Sequence, residues 1–295
     1  MGLLKRDGIS AKLIQSLDGF DLYQLAELRS FFAILDEAPA SPIIDDELWL
    51  KAKNHISEAY STSTALPLCL HILDTFASVS KRNYRTDLVE FIRESKLEDF
   101  LEDAGDTVLV STMHKAKGRQ FDSVYLMLNN FSFSAKSNRA VYVALTRAKS
   151  ALHIHTNTDY FDRFNLPDII RTTDSHDYPE PDEILLELGH RDVALGYFKY
   201  RNQIIPNLRS GSKLKLDGEY LCLPNPSSTR VAKLSKRCIE QLEEVGKRGY
   251  RVCSAEIRFI VWWKGQDDPE ESAIILPNLY LIKESDNEHD SNQKD

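Results

Sequence analysis

Three short apolar runs constrain the fold most strongly: Val108-Leu109-Val110, Val124–Leu128 and Ala151-Leu152-His153-Ile154. Continuous runs of this length, rather than alternating ones, suit strands covered on both faces, as in a parallel sheet packed between helices. Between the second and third, Asn138–Lys149 sets Val141, Ala144, Leu145 and Ala148 on one helical stripe. Arg139, Tyr142, Thr146, Arg147 and Lys149 fall off that stripe. Strand, strand, helix, strand is the grammar of an α/β fold.

The flanks read differently. Residues 3–6 resemble the end of a helix, Asp7-Gly8 its stop, and Ala11–Gln15 a short buried strand. Opening on the last turn of a helix suggests a chain missing its upstream part. Helical periodicity follows over Leu22–Leu35, Asp45–Tyr60, Pro67–Ala77 and Asp87–Asp103, giving a helical region over 21–103 that precedes or is inserted in the sheet. Together with 107–155 it defines an expected first domain, 1–157. The polar stretch 158–183, with three prolines, reads as a linker. Residues 184–283 read as a small α+β module that ends in a sheet or barrel. It would hold a helix near Asp192–Asn202, a hairpin turning at Asp217-Gly218, a helix over Leu234–Lys247, and strands at Tyr250–Trp263, Ile274–Leu276 and Leu279–Ile282. The acidic tail, 284–295, is expected to be disordered.

Composition narrows the function classes. No run approaches the roughly 20 apolar residues that span a bilayer, and the amino terminus lacks a secretory apolar region. The expectation is a cytoplasmic protein with no membrane partner. The net charge of −8 does not itself point to nucleic acid, although ten of the 45 acidic side chains cluster in Asp174–Glu183 and the tail. Cys69, Cys222, Cys238 and Cys253 form no CxxC pair and no zinc spacing with histidine, so free thiols and no metal site are expected. His153 and His155 fit a simple strand alternation. Trp262-Trp263 fit a core better than a base-stacking platform, and Lys233, Lys236, Arg237, Lys247, Arg248 and Arg251 fit either a solvated face or a backbone contact.

Chemistry concentrates in 107–155. The first strand there runs into a polar loop of Ser111, Thr112, His114, Lys115, Lys117 and Gly118. In open α/β sheets ligands bind beyond the carboxyl ends of strands. A hydroxyl, an imidazole, two lysines and a glycine offer donors suited to phosphate oxygens. Arg147 would be presented by the following helix, and an arginine aimed at a cleft can stabilise charge on a transferring phosphoryl group.

These two strings, VSTMHKAKGRQFDSVYL and VYVALTRAK, resemble motifs V and VI of UvrD/Rep-type superfamily 1 DNA helicases, in family order. The resemblance implies the second RecA-like motor domain, followed by the small α+β domain. It implies that Thr112 and His114 contact single-stranded DNA, that Lys117, Gly118, Gln120 and Tyr142 lie near the nucleotide, and that Arg147 is the catalytic γ-phosphate arginine. Motif V usually carries Glu where Gln120 stands; glutamine can still bond a ribose hydroxyl without charge. Asn83-Tyr84-Arg85-Thr86 resembles motif IV but lies close to motif V in predominantly helical sequence, and is taken as coincidence. No G-x-x-x-x-G-K-S/T string and no D-E-x-x strand end occurs in the 295 residues. ATP with magnesium would therefore be bound only when an upstream or separate N-terminal motor domain completes the site. The rival reading is a non-catalytic nucleic-acid-binding or protein-docking module, or a truncated gene product, that retains the motor fold.

Overall fold

The computed structural model describes residues 4, 8–13, 21–37, 41–100, 107–164, 169–176, 178–265 and 269–284. Strand β1 (Ala11–Leu13) is followed by four helices: α1 (Ala26–Glu37), α2 (Asp46–Ala59), α3 (Leu66–Val79) and α4 (Arg85–Glu94). Strands β2 (Val108–Val110) and β3 (Phe121–Met127) precede α5 (Ala135–Leu145) and β4 (Ala148–His155). Beyond them come β5 (Glu183–Glu187), the single-turn α6 (Leu195–Phe198), β6 (Lys213–Asp217), β7 (Tyr220–Cys222), β8 (Arg230–Lys233), α7 (Lys236–Gly246), β9 (Tyr250–Trp263) and β10 (Ser272–Lys283).

The chain divides into two compact units, and the division does not follow the expected boundary near residue 157. One unit joins residues 3–16 to 104–180; the other joins 17–103 to 181–295. The helical region is thus an insertion, and it packs with the carboxy-terminal module rather than with the motif-bearing strands. The expected linker, 158–183, lies almost wholly in the first unit.

In the first unit β1 pairs in parallel with β2, Ala11 opposite Val108, although 94 residues separate β1 from β2 in the chain. β3 and β4 form a second parallel pair, Val124 opposite Leu152. Helix α5 starts at a capping box, in which Ser134 Oγ accepts from the Ser137 amide and Ser137 Oγ accepts from the Ser134 amide. Its Val141 and Ala144 pack on Leu126 and Leu128, with Met113, Phe131, Phe133 and Ile154 around them. Only one face of the β3–β4 pair is covered this way. On the other, Tyr125 and Met127 are 63% and 65% exposed, and Tyr125 stacks on His153 with ring centroids 4.5 Å apart. The expectation of strands covered on both faces is corrected here: among the described residues a two-stranded sheet carries a helix on one side only.

In the second unit β5–β10–β9–β6–β7–β8 form a six-stranded antiparallel half-barrel. β10 is one strand, not two, because Pro277 sits at a bulge opposite β9 rather than ending the ladder. The β6–β7 hairpin turns at Gly218 (φ +59°), as its Asp-Gly signal predicts. Residues 190–202 hold only a 3-10 turn and α6, short of the helix expected there. Leu28, Phe31, Phe32 and Leu35 of α1 share one buried core with Val261, Ile274 and Leu276 of the sheet, and Leu25 bridges Val261. No helix among the described residues is long and apolar enough to cross a membrane. The acidic tail beyond Glu284 lies outside the described residues.

Candidate nucleotide and nucleic-acid site

The loop after β2 is a tight turn built by its own backbone. The carbonyl of Thr112 accepts from the amides of Lys115 (3.1 Å) and Ala116 (3.2 Å), and that of Ala116 accepts from Arg119 (3.2 Å). Gly118 closes it at φ +87°, a conformation that costs an L side chain about 1–2 kcal/mol, with open space where a Cβ would stand. The turn leaves Thr112, His114, Lys117, Gly118 and Gln120 exposed.

Arg147 does not stand on the helix as the apolar stripe predicts. α5 ends at Leu145, Thr146 caps it, and Ala148, the last apolar position of the stripe, begins β4 instead. Arg147 occupies the turn between, where a cation complements the carbonyl end of a helix. Its Nε donates to the Val143 carbonyl (2.9 Å), its Nη1 to the Arg119 carbonyl (3.1 Å) and its Nη2 to Thr146 Oγ1 (3.0 Å). The Arg147 carbonyl in turn accepts from the amide of Phe121 (2.9 Å), the first rung between β3 and β4.

These bonds join the two motif segments. They bring Arg147 against the backbone between Gly118 and Gln120. All three acceptors are neutral oxygens, and among the described residues no carboxylate pairs with Arg147. The guanidinium is half-buried and oriented, yet keeps its charge uncancelled. Tyr142, 68% exposed, lies on the last turn of α5, and its carbonyl accepts from the Thr146 amide (3.1 Å). Thr112 and His114 share the turn, but no hydrogen bond links either side chain to Arg147.

Sequence reasoning did not assign Thr146 a role. Its hydroxyl donates to the Val143 carbonyl (3.0 Å) while accepting from Arg147. A threonine directly before an arginine at a helix end is the signal that could have found it. Arg85, of the motif-IV-like string, pairs with Asp36 and donates to the Leu35 carbonyl (3.3 Å), a local role in the helical unit. A shallow cleft lined by Arg85, Thr86, Val89, Glu90 and Arg93 contains none of the motif residues. Among the described residues no group of three or more His, Cys, Asp or Glu is placed to hold a metal ion.

Residues 45–159 match the family model described as the UvrD-like helicase C-terminal domain, a span that takes in most of the helical insertion and both motif segments. No curated protein and no solved structure matches the chain. Over those residues the chain is similar to the UvrD-like helicase C-terminal domain family, and helicase and DNA-binding character are supported at the level of that family.

Proposed function

We propose that the chain is the carboxy-terminal motor part of an ATP-dependent DNA helicase, contributing single-stranded DNA contacts and an arginine finger to an ATP site completed by an N-terminal motor domain. The observation that carries this reading is the docking of Arg147. An arginine fixed by neutral acceptors beside a glycine turn, with no carboxylate partner among the described residues, keeps a charge that an external anion can meet.

The residues around it suit the phosphate side of a nucleotide and not its metal. Residues 111–120 and 142–149 contain lysines, arginines, hydroxyls and a histidine but no Asp or Glu. Lys117 and Arg147 would meet phosphate oxygens, Gln120 a ribose hydroxyl, and Thr112 and His114 the strand. ATP, when bound, supplies the phosphoryl group. The arginine of this chain would stabilise the charge that develops on it, while magnesium and the P-loop belong to the other motor domain.

The test is a reconstitution. The chain alone is expected to hydrolyse no ATP, and to raise the DNA-stimulated turnover of a P-loop-bearing motor domain with which it assembles. Hydrolysis by the chain alone at helicase-like rates, or assembly without any change in turnover, would overturn the proposal.

A further inference from the structure

The outer end of the half-barrel, around the edge strand β8 and the single turn α6, alternates aromatic rings with cations. Strands β7 and β8 turn Leu221, Val231 and Ala232 into the core. Their pairing sets Tyr220 opposite Lys233. The Arg230 guanidinium lies 4.1 Å, and the Lys233 ammonium 5.4 Å, from the Tyr220 ring centroid. Tyr197 of α6 lies 5.8 Å from Tyr220, centroid to centroid. Arg201 lies 5.0 Å from the Tyr197 centroid and donates to its hydroxyl from Nε (3.1 Å) and Nη2 (2.8 Å). Tyr200, beside them in the chain, is 81% exposed.

We infer that this surface binds single-stranded DNA, with Tyr220 and Tyr197 stacking bases and Arg201, Arg230 and Lys233 meeting the phosphates. Interleaved rings and cations are the chemistry of sequence-tolerant single-strand recognition, since every base has a face to stack and every linkage a charge. Two carboxylates moderate the patch: Asp217 lies 3.8 Å from Arg230 and Glu219 lies 2.8 Å from Lys233. Arg230 and Asp217 are each at least half exposed, and such pairs are weak and screened by salt. The Lys233–Glu219 contact is closer, with side chains 33% and 46% exposed, so a phosphate reaches Lys233 in competition with Glu219. The choice of DNA over RNA rests on the helicase reading above; the surface itself belongs to the other compact unit and to none of the motif residues.

Fluorescence anisotropy of a labelled oligo(dT) strand, titrated with the full chain at several salt concentrations, tests this. Three phosphate contacts predict a slope of log affinity against log salt of about −2, shallower by about 0.7 for each of Arg201, Arg230 and Lys233 changed to Ala. Tyr220→Ala is expected to weaken binding on the order of 10-fold, whereas Tyr220→Phe, which keeps the ring, stays near wild type. Thermal melts by circular dichroism verify that each variant is folded, and the Arg201, Arg230 and Lys233 variants keep the inference testable if Tyr220→Ala is not. A Thr112→Ala/His114→Ala variant separates the two proposals. If it abolishes binding while the β8 variants bind as wild type does, the inference is overturned and the motor reading stands. No binding of oligo(dT) by the wild-type chain, or tighter binding of oligo(rU) than of oligo(dT), likewise overturns it.

Discussion

Replacing Gly211 by Ala should destabilise the unit that joins the helical insertion to the carboxy-terminal module, and the cost can be worked from two separable causes. Gly211 has φ +91°, which an L residue adopts at about 1–2 kcal/mol. An added Cβ would also stand 2.6 Å from Cγ2 of Thr64, in the inserted helical region. Neighbouring backbone leaves little room to yield: the Thr64 amide donates to the Ser210 carbonyl (3.0 Å) and the Gly211 amide to the Ile257 carbonyl (2.6 Å). Overpacking of this kind adds about 1–3 kcal/mol. The total is about 3 kcal/mol, which at a urea dependence of about 2 kcal/mol/M lowers the unfolding midpoint by between about 1 and 2 M. Thr64→Ser removes Cγ2 and leaves Oγ1 at 3.3 Å. In that background Gly211→Ala should cost only the backbone share, about 1–2 kcal/mol. Urea titrations followed by tryptophan fluorescence measure all four proteins. A single variant within about 0.3 M of wild type, or a double variant no better than the single, would refute the packing of residues 17–103 against 181–295.

Other outcomes follow from the same structure. Glu27 is 1% exposed, accepts from Ser63 Oγ at 2.5 Å, and has its pKa raised chiefly by burial. The folded state therefore holds this proton more tightly than the unfolded chain, so the stability it contributes is full at low pH and lost as pH rises through the raised value. Glu27→Gln should raise Tm relative to wild type at pH 8 more than at pH 5; an equal effect at both would contradict the buried neutral acid. Arg258 and Glu187 pair at 3.0 Å with side chains only 14% and 18% exposed. Glu187→Ala should cost about 3 kcal/mol in urea melts by leaving a buried cation, and Arg258→Met combined with Glu187→Leu should recover most of it. Arg147→Ala removes three donors, one of which, Nη1 to the Arg119 carbonyl, joins the end of α5 to the loop after β2. Faster amide exchange at Phe121 and Arg119 is expected, with no change in the β6–β7 hairpin.

Much of the local structure was legible because its causes are local. Asp45 accepts from the Leu48 amide at 2.7 Å and Ser235 from the Cys238 amide, and each starts a helix within two residues of the start that the periodicity predicts. The Asp217-Gly218 turn and the long strand Tyr250–Trp263 likewise came from short-range chemistry. The motif residues were readable as a set, and the structure brings Gly118, Gln120 and Arg147 together while leaving Thr112, His114 and Tyr142 exposed without bonds to them.

What was not readable depends on long-range contacts. The stripe through Ala148 gave no sign that α5 would stop at Leu145, because an apolar residue serves a helix stripe and a strand start equally well. Strands β5 and β8 were not expected, since Arg230-Val231-Ala232-Lys233 is too short to show alternation. The allegiance of 17–103 to the sheet of 181–295 rests on contacts such as Leu25 with Val261, which no periodicity encodes.

The central claim is that Arg147 of this chain acts on a nucleotide held by another motor domain. Its most direct test is the steady-state ATP turnover of the reconstituted, DNA-saturated assembly with wild-type chain and with Arg147→Ala. A finger acting in the transition state predicts a fall in kcat on the order of 10³-fold with the KM for ATP little changed. An unchanged kcat in an assembly that still forms would contradict the account.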